Sequence, residues 1–254
     1  MAARARNPGA MDRVDVHFHL LPGVDDGPAT MDESVALARA AVADGTRAVV
    51  TTPHIRQDFV TDVTGLAELV REVRAVLARE RVPLQVELGG ELGHRMVGRL
   101  SQEDLETIAV GPGSGRWLLL ETPFAGIDEG FRDAAEELRE RGFGLVLAHP
   151  ERSVGGVNAL RPEIARGALA QVNAASLAGD NGAAAQEAAR RLVTGGMAAL
   201  LASDAHSPRR PPALGRGVAF ALRAGLAPAA AESLVGARPA RLLARGLAPP
   251  LVAA

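Results

Sequence analysis

The 254-residue chain contains no cysteine, which excludes disulfides, thiolate metal sites and a cysteine nucleophile. It contains no lysine either. All 28 basic residues are arginine, so Schiff-base chemistry, a Walker-type phosphate loop and a carboxylated-lysine metal bridge are excluded as well. Aromatic residues make up only 3% of the chain, which leaves few rings to stack on a substrate; Phe18, Phe59 and Phe124 lie nearest the polar motifs. A formal charge of -2 gives no electrostatic case for nucleic acid as a partner. No apolar run is long enough to cross a bilayer. The first ten residues carry arginines but no apolar segment behind them, so they read as a disordered leader rather than a signal peptide. Residues 11–254 read as one domain, without an internal repeat or a linker.

What the chain does have is apolar runs that end in ligand-type residues. Seven runs read as strands: 14–20, 48–52, 84–88, 117–121, 144–148, 170–173 and 198–202. They are continuous rather than alternating, which suits parallel strands covered on both faces. Helix-type segments lie between most of them. Residues 31–44 follow a capping Thr30, with Glu33 three positions on and Gly45 as a stop. Residues 64–80, 129–141 and 183–192 show the same one-sided apolar spacing. The alternation predicts an α/β barrel or a doubly wound sheet. Seven units is one short of the usual eight, so the barrel expected is a distorted one.

Five of the six histidines sit in these polar islands. His17-x-His19 puts two imidazoles on one side of the first strand, with Asp15 at the same parity. The turn Pro22-Gly23-Val24-Asp25-Asp26-Gly27-Pro28 holds two carboxylates, one of them a candidate ligand. His54 closes the second run, and Glu91 follows the third beyond Gly89-Gly90. Glu121 ends three leucines, where a carboxylate is expensive to bury unless paired or bound to a metal. His149 closes the fifth run, with Arg152 as a bidentate donor suited to phosphate or carboxylate. Asn173 and Ser176 read as hydrogen-bonding support, and His94 as a loop histidine. Asp204-x-His206 ends the seventh run. Chance rarely ends so many apolar runs this way, and the proportions of His, Asp and Glu suit several metal ions.

These islands resemble the polymerase-and-histidinol-phosphatase (PHP) superfamily over nearly the full chain. The stretch from His17 through Pro28 is more specific. It resembles the manganese-dependent protein-tyrosine phosphatases of capsule and exopolysaccharide loci, the CpsB/CapC/YwqE type. The stretches 120–124, 148–152 and 171–179 agree with that group. The resemblance implies a distorted TIM-like (β/α)7 barrel, the PHP fold, with two or three divalent metals. Manganese is the first expectation; Fe, Zn and Mg are the alternatives. It implies one ion on His17, His19, Glu91 and Asp204, a second on Asp26, His54 and His206, and a third on Glu121, His149 and a shared Glu91. Arg152 and Arg210 match the family's phosphate-binding arginines, with Arg209 as the alternative to Arg210. Two stretches depart from the family: Leu92-Gly93-His94-Arg95 after Glu91, and Ile55-Arg56-Gln57-Asp58 after His54.

The implied activity is phosphoester hydrolysis by in-line attack of a metal-bridging hydroxide. Glu91, Asp204, Arg152 and Arg210 would be the catalytic residues. The expected substrate is a phosphotyrosyl protein, above all a bacterial tyrosine kinase of an exopolysaccharide locus, and the expected location is the cytoplasm. Two alternatives remain open at this point: a small-molecule phosphatase of the histidinol-phosphate type, and a non-catalytic metal-binding regulator of a tyrosine kinase.

Overall fold

Runs of Val, Leu and Ala long enough to be covered on both faces form parallel strands. The computed structural model describes residues 12–247, and the expected leader at 1–10 lies outside them. Nine strands occur among the described residues: β1 (Arg13–Phe18), β2 (Thr46–Thr51), β3 (His54–Ile55), β4 (Gln85–Leu88), β5 (Glu91–Gly93), β6 (Trp117–Glu121), β7 (Gly144–Ala148), β8 (Leu169–Asn173) and β9 (Ala198–Ala202). They form two parallel sheets, in the orders β1-β2-β4 and β3-β5-β6-β7-β8-β9.

All seven expected strands are present, but two of the runs are interrupted, and one expected barrel becomes two sheets. The second run breaks at Thr52-Pro53, where proline has no N–H for the ladder, and resumes as β3. The third breaks at Gly89-Gly90 and resumes as β5. A Cβ on Gly89 would lie 2.6 Å from Cγ1 of Val50, and one on Gly90 2.8 Å from Cγ1 of Ile55. Neighbouring chain segments thus approach too closely for any side chain. Backbone bonds still cross the breaks: the Gly89 N–H donates to the Thr51 carbonyl at 2.9 Å, and the Glu91 N–H to Pro53 at 3.0 Å. At the far edge, the chain beyond β9 reaches β1. Phe18 pairs with Ala205 in an isolated parallel bridge, and the Asp204 N–H donates to the His17 carbonyl at 3.0 Å.

The helices are α1 (Met31–Ala43), α2 (Leu66–Arg79), α3 (Gln102–Ile108), α4 (Glu129–Glu140), α5 (Gly156–Ala159), α6 (Arg161–Ala165), α7 (Ala174–Ala178), α8 (Ala183–Thr194), α9 (Leu214–Arg223), α10 (Pro228–Ser233) and α11 (Ala237–Arg245). The four expected helices appear as α1, α2, α4 and α8, shifted at their ends by at most two residues. Thr30 caps α1 by accepting from the Glu33 N–H. The Glu33 carboxylate reaches one residue further back than a capping box, to the Ala29 N–H at 2.7 Å.

Two apolar clusters hold the fold. In the larger, strand residues such as Leu120, Leu147 and Leu201 pack with Phe131 of α4 and Leu192 of α8. Each such buried leucine contributes about 1.5–3 kcal/mol. In the smaller, Val16, Val50, Trp117, Val146 and Leu200 come from five strands of both sheets and meet Leu242 of α11. Because all the strands run parallel, their C-terminal ends face one side, and the polar islands gather there.

Candidate metal centre

β1 carries His17 and, one residue past its end, His19. Alternation brings their Nε2 atoms to 3.3 Å from each other. Glu91 enters from the start of β5 and Asp204 from the turn after β9. The Nε2 of His17 lies 3.3 Å from Oε2 of Glu91 and 3.3 Å from Oδ1 of Asp204; the Nε2 of His19 lies 3.5 Å from each. All four side chains are buried.

The other ring nitrogens are held from behind. The Nδ1 of His17 meets Oε1 of Gln171 at 2.9 Å, and the Nδ1 of His19 meets Oδ2 of Asp25 at 2.7 Å. Asn173 receives a bond from the Gln171 amide and donates its own to Oδ2 of Asp204, both at 2.8 Å. Such partners fix tautomer and ring orientation. Asp15 turns to backbone instead: it accepts from the N–H of His17 and of Ser203, and burial raises its pKa to about 6.

A second group lies further out. Oδ1 of Asp26 is 3.3 Å from Nε2 of His54 and 3.1 Å from Nε2 of His206, and His19 completes this set. A third joins Glu91, His54 and Glu121. Expected here were Glu121 and His149 around Glu91. His149 does reach Glu91, its Nε2 lying 2.8 Å from Oε1. Glu121 stands with Glu91 and His54 and also faces Arg56, whose Nη1 sits 3.2 Å from Oε1 and 3.5 Å from Oε2.

The arginines take distinct places. Nη2 of Arg210 lies 2.9 Å from Oδ2 of Asp204, and its Nη1 lies 3.3 Å from Oδ2 of Asp26. Arg152 reaches the same Asp204 oxygen at 3.3 Å. Arg209 is exposed, and its backbone N–H bonds Ser207 Oγ. Arg210 is therefore the arginine of that pair that touches the cluster. Of the three phenylalanines, Phe18 is buried in the larger core cluster, because alternation points it away from its histidine neighbours. Phe59 stacks on His54 at 5.1 Å, and Phe124 lies 5.7 Å from His149 and 4.5 Å beneath the Arg152 guanidinium. His94 stands outside the three groups, edge-on to Phe131 at 6.0 Å, and burial lowers its pKa. Ser176 accepts from Asn181 rather than from the site.

Sequence reasoning missed Gln171, Asp25 as an orienting group, and Arg56. The signal for Gln171 was a polar residue inside a buried run. Backbone strain went unread as well. Among the described residues only Arg81, His149 and Asp204 have left-handed backbones without being glycine, and two of the three belong to this site.

The donor set fits divalent cations on three grounds. First, ligand bonds of ~2.1 Å in a tetrahedral site imply donor–donor edges of ~3.4 Å, and the inner cluster's histidine–histidine and histidine–carboxylate separations are 3.3–3.5 Å. Second, Oε2 of Glu91, Oδ1 of Asp204, Nδ1 of His54 and Nε2 of His206 are buried and face other ligand-type atoms at close range without hydrogen-bond geometry, although buried polar atoms rarely go without a well-formed bond. Third, the cluster attracts positive charge. Burial would raise Glu91 and Asp204, yet His17 and its neighbours outweigh burial and hold both carboxyls well below the usual range. Burial would lower His54, yet bonds to Asp26 and Glu91 push it up to about 9. His19 is raised likewise, against burial, by Asp204, Asp25 and Glu91. Glu121 is raised by burial and by Glu91 beside it.

Comparison with known proteins adds four likenesses. Residues 13–244 match the family described as capsular polysaccharide synthesis, CpsB/CapC. The tyrosine-protein phosphatase YwqE of Bacillus subtilis is 30% identical over 198 residues, covering 76% of this chain and 77% of that protein. The tyrosine-protein phosphatase CpsB of Streptococcus pneumoniae is 26% identical over 211 residues, covering 78% and 85%. In structure, the chain matches one of the crystal structures of YwqE and CpsB, described as unique metal-dependent tyrosine phosphatases. That match has a TM-score of 0.77 at 26% identity and spans 93% of this chain and 97% of that one.

Proposed function

Because the chain belongs to the CpsB/CapC family of capsular polysaccharide synthesis, we propose that it is a metal-dependent protein-tyrosine phosphatase. One observation carries the reading: four buried donors at tetrahedral spacing lie beside two arginines that converge on the same Asp204 oxygen. In this reading His17, His19, Glu91 and Asp204 hold one ion and Asp26, His54 and His206 a second. Glu121, with Glu91 and His149, serves a third. Manganese is the first candidate.

When bound, the ions supply water acidified toward a pKa of ~7 and positive charge for the phosphoryl oxygens. The protein's own part is positioning. Arg152 and Arg210 already offer their forks to a carboxylate oxygen, and a phosphate presents the same acceptor chemistry with more oxygens. Gln171 and Asp25 keep the histidine rings turned inward, and Asn173 keeps the Asp204 carboxylate in place. A tyrosyl leaving group has a pKa of about 10 and needs less proton assistance than an alkoxide. Phe59 and Phe124 give its ring apolar surface at the mouth of the site.

The two sheets read here as one interrupted ring of seven strands, the distorted (β/α)7 barrel, with the Phe18–Ala205 bridge as its seam. The substrate proposed is a phosphotyrosyl protein, above all a bacterial tyrosine kinase of an exopolysaccharide locus, met in the cytoplasm. Steady-state assays on p-nitrophenyl phosphate, a phosphotyrosyl peptide and histidinol phosphate test the reading. Manganese-dependent turnover of the two aryl esters, far above histidinol phosphate, is expected. Turnover that survives exhaustive chelation, or a preference for histidinol phosphate, refutes it.

A further inference from the structure

Four large apolar side chains are exposed among the described residues: Phe59, Phe124, Val154 and Leu222. Three of the four cluster around the metal centre. Phe59 stacks on His54, Phe124 underlies Arg152, and the Val154 N–H donates to the Phe124 carbonyl at 3.0 Å. Val154 is 73% exposed and stands beside the exposed Phe124, so the two form a continuous apolar surface. It stands on the wall of a groove of about 600 Å³ between the 152–158 turn and α8. Arg152 lines the groove. Ala184 and Ala188 lie along α8, and Arg191 is the other cation on the wall. Arg190 is engaged by Glu187, whereas Arg191 has no ion pair among the described residues. The acid lining the groove, Glu151, is buried and bonds the Asn173 N–H, so the cations dominate the groove's open surface.

We propose that this groove is the subsite for the peptide that carries the phosphotyrosine. It takes an apolar side chain against Phe124 and Val154 and an acidic one at Arg191. The inference rests on the phosphatase reading and deepens it. Arg152 belongs both to the phosphate site and to the groove, so a peptide anchored by its phosphate enters the groove without a break. Apolar floor and cationic wall define the chemistry: apolar next to the phosphotyrosine, acidic beyond it.

The test compares manganese-loaded wild type with Val154→Asp and Arg191→Glu. Neither residue touches the metal cluster, and circular dichroism checks the fold of each variant. The substrates are p-nitrophenyl phosphate and phosphotyrosyl peptides with apolar, acidic or basic residues at successive flanking positions. Wild type is expected to favour peptides with an apolar and an acidic neighbour. Val154→Asp should raise KM for those peptides about tenfold, a typical loss for one buried apolar contact, with p-nitrophenyl phosphate unchanged. Arg191→Glu should shift the preference from acidic toward basic peptides. Equal effects on peptides and on the small ester, or no flanking preference in wild type, would overturn the subsite. So would light scattering that shows a wild-type dimer which Val154→Asp dissociates, since a second copy would then own the groove. No turnover of any aryl phosphate by the loaded wild type would remove the phosphatase reading, and the subsite with it.

Discussion

The inner ligand group shares His19 with the Asp26 group and Glu91 with the Glu121 group, and these two, taken together as the outer group, are built differently from it. In the inner group every side chain is buried, and each first-strand histidine has a dedicated partner behind it, Gln171 or Asp25. In the outer group Asp26 is nearly half exposed, and Glu121 has both of its oxygens facing Arg56. Asp204 of the inner group also meets guanidinia, those of Arg152 and Arg210, but through Oδ2, which leaves Oδ1 turned to the histidines. The inner arrangement fixes geometry before anything binds. The outer one leaves Glu121 facing an arginine that must yield when an ion arrives. A rigid anchor beside an adaptable mouth is the arrangement a hydrolase needs if product is to leave.

Glu91→Gln should break this contrast most severely, because Glu91 meets histidines of both groups. Metal analysis after gel filtration should find both groups depleted, and kcat/KM should fall at least ~1000-fold, equivalent to ~4 kcal/mol. Glu121→Gln should leave the inner ion in place. Equal metal loss from the two variants would erase the distinction between the groups.

Arg152→Ala should separate substrate from metal. Hydrogen bonds to charged groups contribute ~1.5–3 kcal/mol, so kcat/KM should fall about 10- to 100-fold while metal content stays constant and inorganic phosphate inhibits less. Arg210→Ala should behave alike and Arg209→Ala should not, since Arg210 alone of the two bonds Asp204. Ions lost from Arg152→Ala would make that arginine structural.

Gln171→Leu sharpens the comparison from the inner side. Removing an orienting partner typically costs 10- to 100-fold in metal affinity, so isothermal titration should show weaker binding at the inner group with an intact fold. An unchanged titration curve would deny Gln171 its orienting role.

Acidity offers a further probe. In the metal-free protein His54 keeps its proton up to about pH 9, and His19 is shifted the same way. An ion needs the neutral rings and must displace those protons. Affinity for manganese should therefore fall as pH drops below about 9, by about tenfold per unit for each proton displaced. Titration in buffers of different ionisation enthalpy should register the proton release. Affinity flat between pH 6.5 and 8.5 would contradict it.

Arg56→Ala should have the smallest effect, a several-fold gain in affinity at the outer group as Glu121 loses its competing cation. Competition titration with a chelating dye would read it, and unchanged or weaker binding would make Arg56 a support rather than a competitor.

The residues brought together here were legible because most stand at or just past the end of an apolar run, and parallel strands carry such ends to one side. His17 and Asp204, nearly two hundred residues apart, could be paired on that ground alone. Residues that act sideways were not legible. Gln171 lies within a run, Arg56 follows no long one, and its contact with Glu121 depends on a distance that sequence does not encode. The Gly89-Gly90 pair was visible before Glu91, but its role was not. In the fold it makes room for the neighbouring strands at Val50 and Ile55, and that close approach splits the sheet.

The bridge between Phe18 and Ala205 sets a time at which the protein becomes active. A ribosome delivers His17 and His19 first and Asp204 and His206 almost last. A nascent or prematurely ended chain lacks Asp204 of the inner set and His206 of the second. Hydrolytic power therefore arrives in one step, when the final strand docks against the first. A fragment that ends before Asp204 lacks the residues that close the inner and second donor sets.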